Sequence, residues 1–149
     1  MQAAVLGNVQ IVPMMQRRTF LSGAAALCVG AAVTPVQAHP SYALFDLEKV
    51  AIFEGTVVKF DYLNPHCWLF IMVVDETGVE TMRGFEMDGP PGLMRQGVRP
   101  NYFTSGERIV VKSNPLRDGR PAGLFRGVLK ADGEGFGDVE GLVAPAPPG

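Results

Sequence analysis

The chain has 149 residues, a length typical of one domain, and a net charge of −2 at pH 7. All 15 acidic residues follow position 38, whereas two of the 13 basic residues precede it, so residues 39–149 carry 15 acidic against 11 basic residues, a net charge of −4. An acidic domain has no overall attraction for phosphate backbones or anionic lipids, which argues against a nucleic-acid-binding or membrane-surface protein.

Residues 1–38 have the pattern of an export signal. Arg17 and Arg18 precede an apolar stretch, residues 20–33, which resembles a twin-arginine translocation signal. The stretch is too short to span ~30 Å of hydrocarbon, and Val36 and Ala38 are the small residues that signal peptidase accepts. The sequence predicts a signal peptide cleaved after Ala38, a periplasmic protein and no transmembrane anchor after cleavage. An ordinary Sec signal and an uncleaved anchor are the alternatives.

The first half of the mature chain is typical of three strands. Residues 50–62 are rich in β-branched and aromatic side chains, with Gly55 as a candidate bulge. Residues 67–74 form a continuous apolar run, which predicts a central strand buried on both faces. Residues 75–78 read as a hairpin turn, and residues 79–87 then pair back as the third strand.

The second half contains a short helix and two further strands. Residues 93–96 predict one helical turn, stopped by a glycine. Residues 108–113 and 122–131 predict the fourth and fifth strands. The sequence therefore predicts a β domain over residues 39–133, followed by a Gly/Pro-rich tail over residues 134–149.

Three strands, a short helix and two strands form the element order of an OB-like Greek-key barrel. Such a barrel accommodates an apolar second strand at its centre. The prediction is an all-β, five-stranded OB-like barrel with one short helix between strands 3 and 4, and a small β-sandwich is the alternative.

Short motifs along the mature chain occur in a specific order. They are Ala38-His39-Pro40-Ser41, Phe45-Asp46, Gly55-Thr56-Val57, Asn64-Pro65-His66-Cys67-Trp68, Phe85-Glu86, the Leu-x-Arg-x-Gly pattern of residues 93–97, and Arg117-Asp118-Gly119. In this order they resemble a family of small exported bacterial proteins known as a domain of unknown function. The resemblance covers residues 38–131 and implies the fold and the location rather than an activity. Pro40 departs from the family, which often has a second histidine there.

The two histidines of the chain, His39 and His66, both lie in these motifs. Cleavage after Ala38 makes His39 the first residue, so that its amine and its imidazole Nδ1 can chelate one metal ion. His66 would supply a third nitrogen, and copper(II) prefers such a ligand set. Cys67 and Asp46 are further candidate ligands. The alternative is that His39 is an unstructured terminus and that His66 bonds to nearby backbone in a turn.

The sequence contains two cysteines, and Cys28 would leave with the signal peptide, so Cys67 has no partner for a disulfide. A nucleophilic cysteine needs a base. The adjacent His66 would point to the opposite face of a strand. We therefore interpret Cys67 as a buried structural thiol.

Other chemistry is weakly indicated. Glu86 and Asp88 near Arg83 are interpreted as solvated carboxylates at a sheet edge, and no catalytic triad order, phosphate-binding loop or Cys-x-x-Cys pair occurs. Four aromatic residues could stack nucleic-acid bases, but we interpret them mostly as core: Phe60, Tyr62, Trp68 and Phe70.

The sequence as a whole predicts a periplasmic, non-enzymatic binding or accessory module that takes a small ligand or a protein partner on the barrel face. The alternative is a periplasmic protein that binds copper or another transition metal through His39 and His66. An enzyme that uses this metal is a weaker third hypothesis. No catalytic residues and no binding to nucleic acid are predicted.

Overall fold

The computed structural model describes residues 40–146. The predicted export signal, its predicted cleavage site and the candidate ligand His39 lie outside these residues. The elements, in chain order, are a 3-10 helix (Pro40–Leu44), β1 (Ala51–Asp61), β2 (Trp68–Val74), β3 (Glu80–Glu86), α1 (Pro90–Arg95), β4 (Arg108–Pro115), β5 (Ala122–Lys130) and β6 (Gly135–Gly137). Within residues 40–146, no helix has the length and hydrophobicity of a membrane span.

Five of the strands close into a barrel. β1 pairs antiparallel with both β2 and β4, β2 pairs with β3, and β4 pairs with β5. A short parallel ladder between β3 and β5, from Gly84–Ala122 to Glu86–Leu124, closes the ring. This connectivity and the helix between β3 and β4 confirm the predicted OB-like barrel over the alternative β-sandwich. β6 adds an outer strand to β5, within the segment that the sequence interpreted as a tail.

The prediction that the second strand is buried on both faces is wrong. Leu69 and Ile71 are fully buried in the barrel, whereas Trp68 and Phe70 are half-buried on the outer face. The strand thus alternates as expected for a sheet with one covered face. The outer residues Trp68 and Phe70 are apolar as well, and together they form a half-buried aromatic surface.

The first strand has its bulge three residues later than predicted. Val57 pairs with Ile71 and Lys59 pairs with Phe70, so Val58 is the extra residue. Gly55 has a different role: a Cβ at this position would lie 2.6 Å from the carbonyl oxygen of Met72. The glycine therefore permits the close approach of β1 and β2 rather than a bend.

The core lies inside the barrel and beneath α1. Its members are apolar side chains from all five barrel strands and from the segment that contains α1, including Val57, Leu69, Phe85, Leu93, Val98, Phe103, Ile109, Val111 and Val128. Pro90 and Pro91 start α1 because proline lacks only an N–H that the first helical turn leaves unbonded. The helix is held against the barrel by Leu93, which is 2% exposed.

Candidate functional site

A cavity opens where β3 and β5 separate. Their parallel pairing ends at Glu86 and Leu124, and the next residues along the chain, Met87 and Phe125, both line the cavity. The cavity has a volume of about 280 Å³. Diverging parallel strands leave a crevice that neither strand fills, and such crevices are common ligand sites.

His66 and Glu86 form a pair in the wall of this cavity. The distance between His66 Nδ1 and Glu86 Oε1 is 2.8 Å, and the Glu86 side chain is 7% exposed. Antiparallel pairing of Trp68 with Glu86 brings His66, two residues before Trp68, diagonally beside Glu86 on the same face. Because a carboxylate oxygen accepts, Nδ1 is the donating nitrogen, and Nε2 is then the nitrogen of the neutral ring that can accept or coordinate.

The rest of the cavity wall combines polar and aromatic groups. Tyr42, Asp88 and Gln96 also line the cavity. The rings of Phe125 and Phe136 are stacked, with centroids 5.6 Å apart and planes at 20°. The lining therefore combines polar groups, among them the His66–Glu86 pair and Arg126, with two stacked rings.

The outer strand β6 holds the aromatic wall in place. β6 contributes Phe136 and Gly137 to the cavity. Immediately after it, Asp138 accepts a hydrogen bond of 2.8 Å from Lys112 Nζ and lies 3.3 Å from the guanidinium of Arg126. The bond from Lys112 keeps the pKa of the Asp138 carboxyl below its usual value. Through these bonds to Lys112 of β4 and Arg126 of β5, Asp138 holds the end of β6 against the barrel, and we call it the latch of β6.

Two candidate metal ligands from the sequence lie elsewhere. Cys67 is fully buried in the core, and burial raises the pKa of its thiol. This confirms the structural interpretation of the cysteine. Asp46 forms an ion pair of 3.1 Å with Lys49, which lowers the pKa of Asp46, and it does not line the cavity. Among residues 40–146 no three His, Cys, Asp or Glu side chains cluster as a metal site.

Sequence reasoning missed the role of Glu86. It was interpreted as a solvated carboxylate, but the structure buries it beside His66. The signal that could have found it is the register of the hairpin. A turn at residues 75–78 pairs Val74 with Glu80 and therefore Trp68 with Glu86.

A family model for a family of unknown function, DUF6152, matches residues 26–126. The chain belongs to this family. The finding confirms the predicted resemblance to a domain of unknown function. No curated protein and no solved structure matches the chain.

The DUF6152 match contains some parts of the site and excludes others. His66, Glu86 and Phe125 fall inside the matched residues, whereas Phe136 and Asp138 follow them. The polar pair and one ring of the aromatic wall thus belong to the DUF6152 region. The second ring and its latch lie in the segment beyond this region.

Proposed function

We propose that this DUF6152 protein is a periplasmic, non-enzymatic binding module that holds a small molecule in the cavity between β3 and β5. The observation that carries the proposal is the nearly buried Glu86 carboxylate, oriented against His66 at the cavity wall. Burying a carboxylate costs free energy unless it is paired. Pairs of this kind at a concave surface are typical of binding sites.

The shape and chemistry of the cavity limit the ligand. A volume of about 280 Å³ lies near the lower limit of roughly 300–1,000 Å³ for small-molecule pockets, which fits a small metabolite rather than a polymer. The stacked rings of Phe125 and Phe136 suit a flat or apolar portion. The polar side chains of the lining, among them His66 and Arg126, suit hydrogen-bonding groups of the ligand. We therefore infer an amphipathic small molecule.

The non-enzymatic role is inferred from the side chains around the pair. The described residues that line the cavity include no Ser, Thr, Cys or Lys. The thiol nearest in sequence, Cys67, lies in the core. Glu86 can orient His66, but the described lining offers no Ser or Thr hydroxyl, cysteine thiol or lysine amine for it to activate. The phenol of Tyr42 and the carboxylate of Asp88 also belong to the lining, and we assign them to ligand binding.

Native mass spectrometry of protein isolated from the periplasm tests the proposal. We expect a bound small molecule on the processed chain. Gln96→Trp, at the residue that follows α1, places an indole in the cavity and should remove the adduct. Met94→Trp, two residues earlier, is also exposed but does not line the cavity, so it is the matched control and should retain the adduct. A chain that carries no adduct, or an adduct that survives Gln96→Trp, would contradict the proposed site.

The second candidate function is a copper site formed by His39 and His66. The observation that favours it is that Tyr42, three residues after His39, lines the same cavity as His66. Three residues of chain span at most about 11 Å, a length that sets how far from Tyr42 a ligand at position 39 can bind. A carboxylate that accepts from Nδ1 of a histidine also orients Nε2 towards a metal ion, and Glu86 is placed to do this.

Copper(II) titration separates this candidate from the first. We expect one ion per chain if the amine and imidazole of His39 chelate it together with His66, with weaker binding at low pH as these groups protonate. One extra residue ahead of His39 should abolish the site, whereas His66→Ala should weaken it less. Equal affinities of the processed and extended proteins would refute the copper site and leave the small-molecule proposal standing.

A further inference from the structure

The outer face of the β2–β3 pair has an aromatic surface. Trp68 and Phe70 are two residues apart on β2 and therefore on the same face. Their ring centroids are 6.1 Å apart and their planes are at 23°. Opposite Phe70 stands Gly84, where a Cβ would lie 3.0 Å from Phe70 and 3.4 Å from Trp68. Both rings thus lie against a glycine that leaves room for them.

These rings form the floor of an open groove of about 350 Å³. Met82 extends the floor and is 49% exposed, and Pro121 borders the groove from the loop before β5. No described residue that lines this groove also lines the cavity between β3 and β5. The groove, which we call the aromatic groove, is therefore a second concave surface, independent of the proposed function.

The charged groups at the aromatic groove neutralise each other. Lys59 Nζ lies 2.6 Å from Asp61 Oδ2 and 4.5 Å from the centre of the Phe70 ring. Asp61 lines the groove and its side chain is 35% exposed. A charged ligand would gain little from a rim with no net charge. The net charge of −4 over residues 39–149 also repels anionic polymers.

We propose that the aromatic groove binds a neutral oligosaccharide. The C–H face of a sugar ring is apolar and packs flat on an aromatic ring. Its hydroxyl groups can donate to Asp61 and accept from Lys59 at the edge of the groove. Two neighbouring rings with nearly parallel planes, a carboxylate and an ammonium at one edge and no net charge match this ligand better than a nucleic acid or a charged peptide.

The same contacts would arise if the two rings only covered the exposed backbone at Gly84. In that case their loss would lower stability and leave binding unchanged. A binding role requires that affinity for a sugar falls in variants that remain folded. The experiment therefore measures affinity and folding separately.

Trp68 is the only tryptophan of the chain, so its fluorescence reports on the aromatic groove directly. We would titrate the protein with chitotetraose and cellotetraose up to about 10 mM, tenfold above a Kd of ~1 mM. An oligothymidylate serves as the anionic comparison. We expect saturable quenching or a spectral shift with at least one sugar and none with the oligothymidylate.

Variants place the binding on the rings. Phe70→Leu and Trp68→Leu should each weaken sugar binding at least tenfold, while circular dichroism shows that both variants remain folded. Because Trp68→Leu removes the fluorescent reporter, its sugar binding is measured by calorimetry. Tyr42→Leu, in the wall of the other cavity, should leave it unchanged. The proposal is overturned if neither sugar saturates the signal, if the folded Phe70→Leu variant binds equally well, or if the oligothymidylate binds instead. None of these outcomes affects the adduct in the cavity between β3 and β5, which mass spectrometry measures separately.

Discussion

Gly127→Ala should detach β6 from the barrel. Gly127 lies in β5 and pairs with Gly137 of β6. Its φ is outside the left-handed region, so alanine is conformationally acceptable there, but the new Cβ would overlap the backbone of Asp138. Neither the backbone of β5 nor that of Asp138 can move aside while the two strands stay paired. We therefore expect the overlap to be removed by release of β6 from β5.

The cost of this substitution is limited by what β6 contributes to stability. Phe136 is half-buried, which corresponds to about 1 kcal/mol of hydrophobic stabilisation. Its stacking on Phe125 adds about 1 kcal/mol. The few backbone pairs bring the total to about 2–3 kcal/mol. Release of β6 also removes the bonds from the buried Lys112 to Asp138 and to the Glu140 carbonyl, so this figure is a lower limit. The barrel itself should stay folded, because its five strands close without β6.

Urea unfolding followed by Trp68 fluorescence measures this loss. A second chain that ends at Glu134 is the control, because it lacks the backbone that the Cβ would meet. In this truncated chain Gly127→Ala should cost nothing, or stabilise by about 0.5 kcal/mol through the lower entropy of the unfolded state. If the substitution costs the same in both chains, the clash with Asp138 is not its cause and the reasoning fails.

Three further outcomes are expected. Replacing Arg17 and Arg18 with lysine should block export, because the twin-arginine receptor recognises the guanidinium pair, and normal processing in cell fractionation would instead indicate the Sec pathway. Trp68→Ala should lower the free energy of unfolding by about 1–2 kcal/mol, since the ring is half-buried; a loss above about 3 kcal/mol would be that of a core residue. A double-mutant cycle of His66→Ala and Glu86→Ala should give a coupling of about 1–2 kcal/mol, and additivity would contradict the pair.

Much of the barrel could be predicted from the sequence because local signals agree with the fold. The turn at residues 75–78 has its own chemistry: Asp75 accepts backbone hydrogen bonds from Thr77 and Val79, and Gly78 has a φ of 84°. The helix between β3 and β4 was expected over residues 93–96 and spans Pro90–Arg95. Such elements are specified within a few residues of chain.

Features set by pairing were harder to predict. The bulge at Val58 depends on how β1 meets β2, and the glycine nearby gave a false signal. The sequence does not predict β6, because Gly-Phe-Gly has little strand propensity and the strand depends on its pairing with β5, on Phe136 against Phe125 and on the Asp138 latch. These contacts join residues that are distant along the chain.

The candidate site could be predicted only in part, because its residues come together through strand pairing. His66 was singled out by its motif, whereas its contact with Glu86 requires the register of β2 and β3. Trp68 and Phe70 were assigned mostly to the core because an apolar run does not say which alternate residues face outwards. The sequence shows which chemical groups are present, whereas the pairing of the strands determines which of these groups contact each other.

The most direct test of the proposed cavity is an experimental structure of the protein purified from its native cells. We predict a small molecule between the His66–Glu86 pair and the rings of Phe125 and Phe136, with its polar end within hydrogen-bond distance of His66. A cavity that holds only water, with the co-purified molecule bound elsewhere on the barrel, would contradict the central claim.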